Sequence, residues 1–228
     1  MSREVIFEAI RAANFQRSTA EPAPQLRGPS RAPQSHRAHC DAFIARLTAC
    51  GVCVEELPSW DFIPAAVLRY LTAARLPLII RHGGDPAIAA LPWHQAPDLQ
   101  RRSGAANKDD QAALSCALSG IAETGTLLLT SGADNPVTLA FLPELHIVLV
   151  DSAKIVETME EALSSVGKAG GVPRLPRTVN MISGASRTGD IGGRLVMGAH
   201  GPRQLVVLMA RGPNENGAAE GAAWLGHS

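Results

Sequence analysis

The chain has no surplus of charge: 21 lysines and arginines stand against 21 aspartates and glutamates in 228 residues. A nucleic-acid binder needs a positive field to gather phosphates, so no nucleic-acid partner is expected. Long apolar runs are also missing. No stretch approaches the ~20 residues that cross a bilayer, and Arg3, Glu4, Glu8 and Arg11 interrupt the N-terminus where a secretory signal would be apolar. A soluble, cytoplasmic protein without a membrane span is the expectation. Four cysteines, Cys40, Cys50, Cys53 and Cys116, are too few for a disulfide scaffold at this size. Cys50 and Cys53 have the spacing of redox and metal motifs. They fall at a predicted helix C-terminus, where the dipole disfavours a thiolate, and no second pair supplies further ligands. His36 and His39 lack a carboxylate partner, and no GxGxxG occurs. No metal and no cofactor are predicted.

What is present is apolar patterning: 46% of residues are hydrophobic, enough for one substantial core. A short amphipathic helix is predicted over 2–14, and a proline- and arginine-bearing connection over 16–37. Helices follow at His39–Ala49, ended by Gly51, and at Ile63–Ala74; Asp109 and Asp110 cap a third predicted helix reaching Leu118, and Ser152–Val166 makes a fourth. Apolar runs predict strands at Val52–Leu57, Leu78–Arg81, Leu127–Thr130, Leu145–Val150, Thr178–Ile182 and Gln204–Ala210. Residues Leu99–Arg102 read as a turn or an edge strand. Strands alternating with helices predict an α/β fold, a mainly parallel sheet with helices on both faces. The organisation expected is an N-terminal helix and linker over 1–38, one α/β domain over 39–211 and a tail over 212–228.

Small, turn-forming and hydrogen-bonding residues concentrate between the last two strands, in Ser183–Arg203. Loops of that length in compact domains are usually functional. In an open parallel sheet the ligand crevice lies beyond the carboxyl ends of strands, where this loop is predicted to begin. The surrounding segment Lys168–Arg211 carries seven basic residues against the single acid Asp190. Arginine forks match carboxylate or phosphate. Gly184-Ala185-Ser186-Arg187-Thr188 approaches a nucleophile elbow but ends in threonine, and Ser186, Asp190 and His200 lie too close in sequence for a hydrolase triad. What remains is an anion pocket of the backbone at Gly184–Gly189, the hydroxyls of Ser183, Ser186 and Thr188, and the guanidinium of Arg187, with Asp190 capping a predicted helix Ile191–Met197. A second candidate is Gly120–Thr126, predicted between a helix and a strand, in which Glu123 with Thr124 serves as general base or orients a substrate hydroxyl.

These two segments, with the intervening Phe141-Leu142-Pro143-Glu144-Leu145-His146-Ile147-Val148, resemble the LUD domain family, in particular its lactate utilisation C branch. The resemblance runs from about Gly120 to Ala210. It implies a fold like that of the ribose-phosphate isomerase, glucosamine-phosphate deaminase and CoA-transferase group. It also implies an accessory role in oxidising L-lactate to pyruvate, beside iron–sulfur subunits that carry the electrons. Carried over by residue, it falls on Ser183, Gly184, Ser186, Arg187, Thr188, Asp190, Gly198, His200, Gly201, Pro202 and Arg203, and on Glu123, Thr124 and Gly125. The site expected has Glu123, Asp190 and His200 as catalytic groups, and Thr124, Gly125, Ser183, Gly184, Ser186, Arg187, Thr188 and Arg203 around a small carboxylate or phosphate. Ala185, Gly189 and Gly192 depart from the family's usual proline, alanine and glutamate; the last removes an acid from any proton transfer. The alternative is a stand-alone enzyme acting on sugar phosphates or acyl-CoA, with Glu123 as base or nucleophile.

Overall fold

A computed structural model describes residues 35–167, 175–191, 194–198 and 201–212, with backbone alone given for 188–191 and 194–197. Residues 4–5 and 7–9 are described as well, and are helical; they belong to a separate unit, Met1–Pro33. The predicted 2–14 helix is otherwise outside the described residues, as are most of the 16–37 connection and the tail beyond Gly212.

The strands, in chain order, are β1 (Cys53–Glu56), β2 (Ile79–His82), β3 (Gln100–Ser103), β4 (Ala112–Cys116), β5 (Ser119–Ile121), β6 (Thr126–Thr130), β7 (Leu145–Asp151), β8 (Ile155–Val156), β9 (Val179–Ile182), β10 (Arg187–Ile191), β11 (Arg194–Met197) and β12 (Gln204–Ala210). The helices are α1 (His36–Ala49), α2 (Ile63–Ala73), α3 (Pro86–Ala89) and α4 (Met159–Ser164). Six strands form a parallel sheet in the order β1-β12-β7-β4-β2-β3, and four form a second, mostly antiparallel sheet, β8-β5-β6-β9. The expected α/β architecture with a mainly parallel sheet is observed.

Alternation along the central strands sorts side chains between two layers. Leu145, Ile147 and Leu149 of β7 and Val206 and Leu208 of β12 pack with Val67 and Leu71 of α2. Val148, Val150, Leu205, Val207 and Met209 pack on the other side with Phe43 and Leu47 of α1 and Leu127 and Leu129 of β6. One face is thus covered by a helix and the other by α1 together with the second sheet. That sheet is absent from the sequence reading.

Several predicted elements differ from those observed. Helix α1 begins three residues earlier than expected, because Ser35 caps it by accepting from the Ala38 N–H at 3.2 Å. The helix predicted from Asp109 and Asp110 to Leu118 is instead strand β4, with β5 beginning directly after it. Asp110 caps nothing: its carboxylate accepts from Arg81 Nε at 3.0 Å and from the Asn107 N–H at 2.9 Å. Burial, the largest single influence, opposes its charge, but the Arg81 hydrogen bond, the Asn107 N–H and the positive charges of Arg81 and Arg102 together outweigh it and hold the carboxyl below its ordinary range. Residues Leu99–Arg102 resolve as edge strand β3, which begins one residue later. The helix predicted at Ser152–Val166 reduces to α4, preceded by a 3-10 turn and β8. No helix follows Asp190; Arg187–Ile191 and Arg194–Met197 pair as an antiparallel hairpin. Strand β9 joins the second sheet through β6 rather than the parallel one.

Candidate functional site

The ligand loop therefore lies elsewhere than the doubly wound rule places it. It leaves β9, passes through the β10–β11 hairpin and enters β12 at Gln204, so it flanks the amino edge of the parallel sheet and not the carboxyl edge. There the chain is tied down by the Ser186 N–H donating to Pro202 O (2.9 Å), Gly198 N–H to Ser186 O (2.8 Å) and Arg203 N–H to Glu144 O (2.9 Å).

These ties frame a cavity of about 230 Å³. Its floor comes from the parallel sheet, His146 at the second position of β7 and Leu205 at the second of β12, which are register partners. Ala140 and Ile182 add apolar wall; Phe141 and Met181, both partly exposed, stand beside Ser183, Gly184, Ser186, Gly201 and Pro202. The N–H groups of Gly184 and Ala185 have no protein partner among the described residues.

Glu123, Thr124 and Gly125 form the turn of the β5–β6 hairpin, between two strands and not after a helix as expected. Gly125 has φ +64°, and a Cβ there would come within 2.6 Å of Arg46 Cβ, so the turn is pressed against α1 and only glycine fits. Arg46 Nη1 donates to Ala122 O at 2.9 Å and locks that contact. The Glu123 carboxylate accepts the Met159 N–H at 3.0 Å, at the first position of α4.

The two segments singled out in the sequence meet through hydroxyls. Thr124 Oγ1 lies 2.7 Å from Thr126 Oγ1, which lies 2.7 Å from Ser183 Oγ at the cavity. Thr126 is buried and was not among the expected site residues. Each hydroxyl both donates and accepts, so the chain can run in either sense and Ser183 can offer a proton or a lone pair.

Among the described residues, no arginine lines this cavity. The Arg187 guanidinium donates to Cys50 O at 2.6 Å, closing the C-terminus of α1, and neither Arg187 nor Glu123, expected together in the pocket, is among the described residues that line it. The physical reason is register: Arg187 opens β10 beside Gly51, whose lack of a Cβ leaves room for the guanidinium, since a Cβ there would lie 2.7 Å from Arg187 Nη2. Arg203 lies 3.8 Å from Glu144, both side chains more than half exposed. Thr188 and Asp190 are placed only as backbone within β10, and His200 is outside the described residues.

The residue that sequence reasoning missed is His146. It is fully buried, with Nε2 3.0 Å from Ser115 Oγ, and Nδ1 has no hydrogen-bond partner among the described residues. Burial pushes its pKa down to about 3, so the imidazole is neutral. The available signal was a polar ring inside the otherwise apolar run Leu145–Val150. Among the described residues no His, Cys, Asp or Glu cluster is arranged to hold a metal, and no helix is long and apolar enough to cross a membrane. The four cysteines are free thiols.

Comparison with known proteins places the chain. The sequence model of the LUD domain matches residues 96–209. An uncharacterised protein of Neisseria meningitidis serogroup B is 36% identical over 154 residues, 64% of each chain. A Deinococcus radiodurans protein named lactate utilization protein C is 30% identical over 190 residues, 79% of this chain and 84% of that one. A Shouchella clausii protein of the same name is 35% identical over 82 residues, 36% of each. The match thus spans just under two thirds of the Neisseria relative and little more than a third of the Shouchella one. The crystal structure of a DUF162 family protein from Deinococcus radiodurans superposes with a TM-score of 0.58 at 24% identity, covering 78% of this chain and 99% of that one, and so shares its fold. With half its length matched by the family's model and a relative matched along most of its length, this chain belongs to the LUD domain family.

Proposed function

We propose that this chain works in lactate utilisation as an accessory subunit, holding in the amino-edge cavity a small carboxylate that carries a hydroxyl or oxo group. The observation that carries this reading is the hydroxyl chain from Thr124 through Thr126 to Ser183, which links the Glu123–Gly125 segment to a residue lining the cavity. The names of the Deinococcus and Shouchella relatives support the same process. A carboxylate suits the rim, where Ser183 and Ser186 stand beside Gly184, whose N–H has no partner among the described residues. A short alkyl group suits Ile182 and Leu205 below. Electron transfer is assigned to iron–sulfur partner subunits, and the site of action to the cytoplasm.

The alternative, an enzyme on sugar phosphates or acyl-CoA, draws less support. A phosphate asks for cationic forks, and the guanidinium of Arg187 and that of Arg203 face Cys50 and Glu144. Glu123, the would-be nucleophile, has its carboxylate on the Met159 N–H. The test uses the purified partner subunits. Lactate-dependent dye reduction should fall at least tenfold when this chain is left out and return when it is added back; full activity in its absence would discard the subunit reading.

A further inference from the structure

We propose that Nδ1 of His146 is the inner hydrogen-bonding group of the cavity and recognises the hydroxyl or oxo oxygen next to the ligand's carboxylate. This rests on the reading of the cavity as a carboxylate site, and it names the group that would distinguish a 2-hydroxy or 2-oxo acid from a plain alkanoate.

The geometry points this way from several sides. His146 stands on β7, on the face that also carries Val148 and Val150, and it lines the cavity next to Leu205. Its Nε2 is 3.0 Å from Ser115 Oγ, on the neighbouring strand β4. That bond fixes the ring while leaving the tautomer open, because the serine hydroxyl can donate or accept. Nδ1, buried and without a partner among the described residues, is left as either a lone pair or an N–H. Orphaned buried polar atoms are rare in native proteins, and one carried by a residue that lines a ligand-sized space is a candidate contact for a guest that reaches the floor.

Chemistry then selects the guest. A neutral ring with apolar neighbours offers a full negative charge at most one hydrogen bond and no countercharge, whereas the rim gathers the hydroxyls of Ser183 and Ser186, so the carboxylate belongs there. The floor atom must be an uncharged oxygen. A hydroxyl can donate to the Nδ1 lone pair, and an oxo group can accept from Nδ1–H, so both oxidation states of one carbon skeleton fit the same ring through a change of tautomer. A site built around such a bond discriminates against an analogue lacking the oxygen, because Nδ1 is then left bare.

The experiment measures binding of L-lactate, pyruvate and propionate to the full chain by calorimetry, with 15N histidine spectra recorded alongside. Lactate or pyruvate should bind at least tenfold more tightly than propionate, and the His146 ring nitrogens should shift on saturation. In His146→Leu the preference should vanish while propionate affinity stays within about threefold. His146→Asn, whose amide can occupy the Nδ1 position, should recover part of the preference. Should the leucine variant fail to fold, the ring-nitrogen shifts in the unmodified protein decide. A preference kept in His146→Leu, saturation by lactate with unmoved ring signals, or no binding of any of the three acids overturns the proposal. If the preference is found and depends on His146, but partner activity does not need this chain, the subunit reading fails and the assignment of His146 stands.

Discussion

At the scale of a single residue, His146 should be visible in the pH dependence of stability. Burial lowers its pKa from the ordinary 6.5 to about 3 in the folded chain. Between those values the unfolded state binds the extra proton and the folded state does not, so stability rises with pH across the window and is lost as pH falls through it. From pH 6.5 down to 5 the loss from this one group approaches about 2 kcal/mol, at roughly 1.4 kcal/mol per pH unit. Urea unfolding at pH 7, 6 and 5 checks this. His146→Asn, with nothing to titrate, should lack that share of the acid sensitivity; parallel curves for the two proteins would mean that the buried ring takes up its proton without unfolding.

At the scale of elements, Arg187 has become a fastener for α1. Its guanidinium satisfies the Cys50 carbonyl at the end of that helix. Because the side chain is exposed, Arg187→Ala should lower stability by no more than about 1 kcal/mol, read from urea midpoints, and lactate affinity should change by less than twofold. A tenfold loss of affinity at unchanged stability would return Arg187 to the cavity. The reason this role was illegible is that nothing in the sequence links position 187 to position 50; the contact exists only once β10 is laid beside Gly51. The same limit explains the misread elements. Ala112-Ala113-Leu114 favours a helix by composition, yet its place between β2 and β7 makes it a strand. Ile191 pairs with Arg194, and the intervening Gly192-Gly193 was a hairpin signal that the helical reading passed over. By contrast the continuous apolar runs at Leu145–Val150 and Gln204–Ala210 were legible, since strands buried on both faces need no alternation. In the candidate site, Ser183, Gly184, Ser186 and Thr124 were legible from local chemistry, whereas Thr126, Ser115 and His146 gain their roles only from cross-strand neighbours.

At the scale of the whole molecule, the cavity matters because it lies where two sheets meet. His146 and Leu205 come from the parallel sheet, and Met181 and Ile182 from β9, the edge of the second. Among the described residues strand β9 pairs only with β6, and its residues are half-buried or exposed, so it belongs among the segments that open most easily. A ligand bridging the sheets must leave before β9 can open. At a concentration 100 times its Kd it stabilises the closed form by about 2.7 kcal/mol, roughly 100-fold in the opening equilibrium. Amide hydrogen exchange across 179–186 should therefore slow by up to that factor with saturating lactate. Strand β3, the far edge of the parallel sheet, supplies no residue to the cavity and serves as the control. Its local exchange should be unchanged. Slowing at β3 equal to that at β9 would instead report a general effect on unfolding, and slowing at neither would show that β9 opens with the ligand still in place, so that the guest is held by the parallel sheet alone.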